Sequence, residues 1–508
     1  MFENRLTRRG FLKVAGALTL SHFVPPMALS QQGAPKENVL IVLFDAFSAS
    51  NISLYGYRRP TTPHLERLAE KAVVYHQHLA GGNFTTPGTA TLLTGVMPWT
   101  HRAMGFNDVV AEAFARKSLF HALPTYNALA YTHNLLANTL LKDFFADLNG
   151  LTPREKLYLQ GDQWISWLFQ GDDDISSVGW QRAVNRQLDG SVYSLFLSRL
   201  YEGYKNRQLA DVRKAFPRGL PEVAGTNNFL LEDSINWLQN QLTASPQPFL
   251  GYYHLLPPHD PYHTRADFYN TFAADGYHPP DKPLHILTDH HSPQKLAERR
   301  QEYDEYILYV DAEFNRLYTF LETEGFLENT WLVFTSDHGE MFERGFRGHR
   351  TKVLHQPVIH IPLLIFPPGQ TTRVDIHEPT SAIDILPTLA AVTGNPNPPW
   401  AEGRVLPPFA NAAPREVFSI QMEGLDKAGH VTKGTVSLVR APYKLMVYFG
   451  FVEEVPAQNG TWVELYDLMA DPEERDDLAI THKEIANEML AAVKTKMNEV
   501  GAFVPTSE

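Results

Sequence analysis

The chain has 508 residues, 44% of them hydrophobic and 20% charged, and a formal net charge of −13. That length suits one large domain with a smaller companion, or two domains, and the acidity without any basic stripe argues against a nucleic-acid partner. The absence of cysteine excludes disulfides, thiolate metal sites and lipidation of a cysteine.

The first thirty residues, "MFENRLTRRGFLKVAGALTLSHFVPPMALS", run from a basic start through an apolar stretch to the small-residue site "ALS". The "TRRGFLK" within them resembles a twin-arginine export signal, read by a receptor rather than used as an anchor. Residues 1–30 are therefore expected to be removed after Ser30, leaving a periplasmic or extracellular protein with roughly −16 charge. No later run approaches the ~18 apolar residues of a membrane span.

Short apolar runs follow that read as buried strands: "NVLIVLF" (38–44), "PFLGYYHLL" (248–256), "TWLVFTS" (330–336) and "IPLLIF" (361–366). Helical patterns such as "TPHLERLAEKAVVY" and "DEYILYVDAEFNRLYTFLETEG" alternate with them, which predicts an α/β fold on a mainly parallel sheet covered on both faces. The domain division expected is 36–400 for the main body and 401–508 for a C-terminal α+β subdomain, joined at the Pro-rich "GNPNPPWAEGRVLPPF". Within the body, the aromatic-rich stretch 106–245 is expected to form helical excursions capping a site, and 265–294 a polar loop. "TVSLVRAPYKLMVYF" and "WVELYDL" predict an antiparallel pairing in the tail, followed by a terminal helix.

Open α/β sheets bind ligands outside the carboxyl ends of their strands. "NVLIVLF" runs into Asp45, and "TWLVFTS" runs into Asp337 and His338. Two carboxylates and an adjacent imidazole on one rim make a ligand set for a divalent cation, with Ca, Mg, Mn and Zn all left open. In "NFTTPGTATLLTG" (83–95), Pro87 suits a first helical position, so Thr86 reads as the N-cap with Thr85 just outside. From that turn alone capping is the better reading. If the turn meets the metal, Thr85 becomes a candidate ligand and nucleophile. The remaining histidines have plainer readings. His254 and His263 in "HLLPPHDPYH" read as satisfied or solvated, although that run could supply a second metal site. His290 and His291 read as surface, and His355 and His360 as packing residues.

The chain resembles the sulfatase branch of the alkaline phosphatase superfamily. The likeness runs through "NVLIVLFDAFSASNISLYGYRRPTTPHLERLAEKAVVY", "TTPGTATLLTGVMPWTHR", "YHLLPPHDPY", "TWLVFTSDHGE", "SAIDILPTLAAVTG" and "ELYDLMADPEERDDLA". It implies a large mixed sheet with a smaller C-terminal antiparallel sheet, and metal-assisted attack on a sulfate or phosphate ester. Carried over to this sequence, it implies metal ligation by Asp45, Thr85, Asp337 and His338. His259 in "PPHDPY", His349 in "RGHRTK" and, one place out of register, Lys352 are implied contacts to the ester's anionic group. Two departures stand out. The resemblance implies Cys or Ser, oxidised to formylglycine, where Thr85 stands, and an arginine where Thr89 stands. A second carboxylate is also missing, since Ala46 follows Asp45.

An unmodified threonine serves as nucleophile in phosphodiesterase and phosphotransferase relatives. The expectation is thus an exported metal-dependent hydrolase or transferase acting on a phosphate ester of a small molecule, lipid or glycan through Thr85. Two alternatives stay open: a sulfuric ester hydrolase that works without formylglycine, and an inactive protein of this fold that binds an anionic glycan or lipid. Export gives the first test. Changing Arg8 and Arg9 together to Lys should leave precursor in the cytoplasm on cell fractionation, whereas normal export would show that the pair is incidental.

Overall fold

The computed structural model describes residues 36–106, 108–159, 200, 207, 209–223, 227–411, 413–427, 429–456 and 460–501. The expected export segment, residues 1–30, lies outside them. Residues Glu37–Glu508 form one compact unit.

The main sheet is built from β1 (Asn38–Phe44), β2 (Val73–Tyr75), β3 (Asn127–Thr132), β4 (Gly150–Leu151), β5 (Phe249–Leu255), β6 (Thr330–Thr335), β7 (Leu363–Phe366) and β8 (Val374–Ile376). In space they run β8-β2-β7-β6-β1-β5-β3-β4. β1 sits at the centre, parallel to β5 on one side and β6 on the other. All seven of its residues are buried, as a strand covered on both faces requires.

The alternation of side chains along β1 divides the core. Leu40, Val42 and Phe44 face one layer, packed against α1 (Pro63–Leu68), α4 (Leu231–Ala244) and α5 (Pro293–Thr323). Val39, Ile41 and Leu43 face the other, packed against α2 (Thr85–Thr94), α3 (Leu135–Asp143) and α6 (Ile385–Val392). Each such side chain contributes roughly 1.5–3 kcal/mol of burial.

The mainly parallel sheet stands with one antiparallel member, and one expectation changes. "IPLLIF" forms β7, which pairs antiparallel with β6 and β2, so the sheet is mixed. The stretch 106–245 is more than a helical cap: it supplies β3 and β4 of the main sheet, with α3 and α4 covering opposite faces. Alternation in "NALAYT" is weak because both faces of β3 are covered, which hides the strand period. Residues 160–199 and 201–206 of that stretch lie outside the described residues.

The tail contains four antiparallel strands in sequence order: β9 (Val417–Leu425), β10 (Val431–Arg440), β11 (Tyr443–Phe449) and β12 (Trp462–Asp467). The terminal helix α7 (Lys483–Glu499) covers one face with Met489, Val493 and Met497. The other face packs on the body through Met446 and Tyr448 against Leu354 and Val358. Among the described residues no helix is long and apolar enough to cross a membrane.

The turn after β1 is held from outside its own strand. Ala46 lies at φ 58°, a left-handed conformation that costs a residue with a Cβ. Tyr303 of α5 fixes it: its hydroxyl donates to the Ala46 carbonyl at 2.6 Å and accepts from the Ser48 amide at 2.9 Å. Tyr303→Phe should leave both backbone groups buried without partners and lower the unfolding free energy by about 1–3 kcal/mol in urea titration. A loss within about 0.5 kcal/mol would mean the turn is held by other contacts.

Candidate active site at the ends of the central strands

Asp45 follows the last residue of β1, and its amide donates to Leu255 at the end of β5 at 2.9 Å. Asp337 lies two residues beyond β6, whose Thr335 is in register with Leu43. Both carboxylates are almost fully buried. The two strand-end turns are tied by Ser336, whose hydroxyl accepts from the Phe47 amide at 2.9 Å and donates to the His338 carbonyl at 2.7 Å.

His338 completes the rim. Its Nδ1 bonds the Gly339 carbonyl at 3.0 Å, which places the hydrogen on Nδ1 and leaves a lone pair on Nε2. Around Nε2 lie Asp45 Oδ1 at 3.3 Å, Asp337 Oδ2 at 3.5 Å and Thr85 Oγ1 at 3.5 Å. Asp45, Asp337 and His338 each offer one ligand atom within 4.8 Å of the others. Asp45 Oδ1 is buried and accepts no hydrogen bond among the described residues. A bare carboxylate oxygen facing an imidazole lone pair, a second carboxylate and a hydroxyl fits a divalent cation. Burial opposes charge on His338, yet Asp337 and Asp45 push its pKa up to about 9, a measure of the positive charge this pocket calls for. Burial opposes charge on Asp45 too, but His259, His254 and His338 hold it well below the usual carboxylate range.

Thr85 is the first residue of α2, not a residue outside it, and Phe84 occupies the cap position with no side-chain cap bond. The expected cap at Thr86 is thus replaced. The first turn of a helix has no intrahelical acceptors for its amides, so Pro87 is tolerated at its third position as well as at its first. The Thr85 hydroxyl is freed from capping and accepts instead from Asn134 Nδ2 at 3.1 Å. Four residues on, Thr89 donates to Asp337 Oδ2 at 3.4 Å from the place where the resemblance implies arginine. The close approach of α2 depends on Gly88, where an added Cβ would stand 2.2 Å from the Asp337 carbonyl oxygen.

The sequence did not reveal Asn134. As N-cap of α3, its Oδ1 accepts from the amides of Leu136 and Ala137 at 2.8 and 3.3 Å. That fixes the amide orientation, so Nδ2 donates to Asp45 Oδ2 at 2.5 Å and to Thr85 Oγ1. The Asn-Leu-Leu helix start was the available signal, and it announces only a cap. His254, read as a satisfied or solvated histidine, instead lies in this cluster. On β5 it faces Leu43, and its Nε2 is 3.1 Å from Asp45 Oδ2 and 3.8 Å from Asp337 Oδ2. Tyr252 Oη lies 3.4 Å from its Nδ1. Asp45 Oδ2 is thus taken by Asn134 and His254, while Oδ1 is left open.

His259 and His349 form the other wall. Their ring centroids are 4.8 Å apart, and His349 is 4.4 Å from His338. His259 Nδ1 donates to the Asp260 carbonyl at 2.6 Å. His349 Nδ1 lies 2.7 Å from Glu340 Oε2, and Tyr262 donates to the other oxygen of Glu340 at 2.7 Å. Burial lowers the His349 pKa against the pull of Glu340, and Glu340 is held below the usual range by His349 despite its own burial. Lys352 is not drawn into this wall: its Nζ lies 3.5 Å from Glu454, with a third of its side chain exposed.

The sequence profile of the sulfatase family matches residues 37–143 and 171–395. An ulvan-active sulfatase of Formosa agariphila is 26% identical over 387 residues, 74% of this chain and 66% of that protein. A choline-sulfatase of Rhizobium meliloti is 24% identical over 477 residues, 87% of this chain and 82% of that protein. Among solved structures, the phosphonate monoester hydrolase of Agrobacterium radiobacter superposes with a TM-score of 0.66 at 18% identity, covering 92% of this chain and 96% of that one.

Asn134 gives the sharpest test of the rim. Asn134→Ala should cost about 1 kcal/mol of stability through the lost cap and weaken Mn2+ binding about 10–100-fold, read by magnetic-resonance titration. Unchanged Mn2+ affinity would remove Asp45 from the ligand set.

Proposed function

The chain belongs to the sulfatase family of hydrolases, and on that premise we propose that it hydrolyses a phosphate or phosphonate ester with unmodified Thr85 as nucleophile. The observation that carries this is the Thr85 hydroxyl, held by Asn134 within 3.5 Å of His338 Nε2 beside two buried carboxylates. Formylglycine is an aldehyde made from a primary carbon. Oxidation of threonine would give a ketone, and no cysteine exists anywhere in the chain. The phosphonate monoester hydrolase likeness favours phosphorus over sulfur, whereas the sulfatase names of the relatives favour sulfur.

Asp45 Oδ1, Asp337 Oδ2, His338 Nε2 and Thr85 Oγ1 would hold one divalent cation. When bound, it supplies positive charge that acidifies the Thr85 hydroxyl and neutralises charge growing on the ester. Asn134 keeps Oγ1 aimed at the ester. Thr85 Oγ1 forms a bond to phosphorus as the bond from phosphorus to the alcohol breaks in line. His349, kept neutral by burial, picks up the proton that Thr85 releases, with Glu340 at Nδ1 stabilising the short-lived imidazolium, and passes it to the departing oxygen. A water then gives a proton to His349 and attacks phosphorus, and Thr85 Oγ1 leaves and takes that proton from His349. His259 stands beside His349 on the same wall as a contact for a nonbridging oxygen. A sulfated threonine lacks the collapse to an aldehyde that frees a formylglycine, so this machinery suits phosphorus. The order of basic, apolar and small residues before Ser30 supports delivery across the membrane before catalysis.

The experiment compares kcat/KM for aryl phosphate, phosphodiester, phosphonate monoester and sulfate substrates with the same leaving group. A phosphorus ester should lead, and Thr85→Ala should lower its rate by about 10³-fold or more. A sulfate preference, or full activity in Thr85→Ala, would overturn the assignment.

A further inference from the structure

A second cluster of ligand-type side chains lies away from Thr85, in the seam between the body and the C-terminal sheet. His285 comes from the segment before α5, His355 precedes the short helix Gln356–Ile359, and Glu464 lies on β12. Each offers a ligand atom within 4.8 Å of the others. Both histidines are buried, and the Glu464 side chain is 13% exposed. The chemistry at Thr85 uses none of them.

Outer hydrogen bonds already orient this trio. His355 Nδ1 lies 3.1 Å from Glu474 Oε2, and Lys444 Nζ donates to Glu474 Oε1 at 2.6 Å. Glu474 thus fixes the hydrogen on Nδ1 and leaves a lone pair on Nε2. That Nε2 is buried and has no hydrogen-bond partner among the described residues. A bare acceptor in a dry seam is unfavourable unless something fills the space beside it. Glu464 Oε2 accepts from the hydroxyls of Tyr448 at 3.0 Å and Tyr466 at 3.2 Å. Its Oε1 lies 3.1 Å from His285 Nε2. His285 Nδ1 accepts the Leu287 amide at 3.1 Å, so its Nε2 hydrogen is the one shared with Glu464.

We propose that His285, His355 and Glu464 bind a second, structural divalent cation of the zinc class, pinning the C-terminal sheet to the body. Two imidazoles and one carboxylate select Zn2+ or Co2+ over Ca2+ and Mg2+, which take oxygen ligands. The pairing of His355 with Glu474 is the outer support that metal-bound imidazoles carry. On loading, the cation replaces hydrogen on His285 Nε2. That proton moves to Nδ1, the Leu287 amide gives up its acceptor, and His355 Nε2 gains the partner it lacks. No proton is released or consumed. Ligands from three separated segments make the bound cation a cross-link.

The test loads the purified full chain with Zn2+ or Co2+, removes the excess, and measures bound metal, the Co2+ visible spectrum and Tm. With the Thr85 site disabled by Asp337→Ala, a metal equivalent per chain should remain. Its Co2+ form should show the intense bands of a tetrahedral site, and Zn2+ should raise Tm where Ca2+ and Mg2+ do not. Adding His355→Gln should abolish all three signals. If that variant does not fold, Glu464→Gln in the same background reads the same signals. An Asp337→Ala chain that holds no Zn2+ or Co2+ overturns the proposal, as does a folded seam variant that keeps the metal and its tetrahedral bands.

Discussion

Two carboxylates buried at the ends of adjacent parallel strands set the terms for the rest of this structure. Asp45 and Asp337 are out of water and close to one another; neighbouring histidines hold Asp45 in its charged form, and Asp337 accepts from the His338 amide. Such a pair persists only where positive charge and hydrogen bonds surround it. The protein answers with His338 and His254 between the carboxylates, Asn134 and Thr89 as donors, and an acceptor at Asp45 Oδ1 that takes no hydrogen bond among the described residues. The left-handed turn at Ala46, its clamp by Tyr303 and the glycine contact at Gly88 all serve to bring these groups within reach.

The legible parts of the fold were those where one strand or one dipeptide carries the signal. "NVLIVLF" is buried on both faces and reads as an uninterrupted apolar run, so Asp45 could be placed at its end from sequence alone. The same logic located Asp337 and His338. Groups that reach the site from other elements were hidden, because their sequence signal belongs to another task. Asn134 looks like a helix cap and is one, but its second hydrogen-bonding end reaches Thr85. His254 sits in an apolar strand, where burial is the common reading, and only the register of β5 against β1 brings it to Asp45. The helix start was missed by two residues because Pro87 fits two positions of a first turn. β3 was hidden by its two covered faces, and the antiparallel sense of β7 by the fact that a short apolar run carries no direction.

The departures from the family pattern fit together when read as chemistry. A threonine cannot become an aldehyde, so on the proposed reading the attacking oxygen is the hydroxyl itself, and it must be aimed. Asn134 does that aiming. The arginine expected near the nucleophile is replaced by Thr89, which turns to Asp337 rather than to an ester. On the proposed reading the anionic oxygens of the ester meet His259 and His349, while Lys352 pairs with Glu454. The seam at His355 is a separate matter: its polar groups are organised around Glu474 and Lys444 and sit on the C-terminal sheet's side of the molecule.

The central claim is that Thr85 carries the phosphoryl group between two displacements. Mixing the metal-loaded enzyme with an aryl phosphate or phosphonate ester, quenching in acid within one turnover and mapping peptides by mass spectrometry tests it directly. The account predicts a phosphoryl or phosphonyl adduct on Thr85 that forms and decays at rates compatible with kcat. Turnover with no adduct at Thr85, or with the adduct on another side chain, would contradict it.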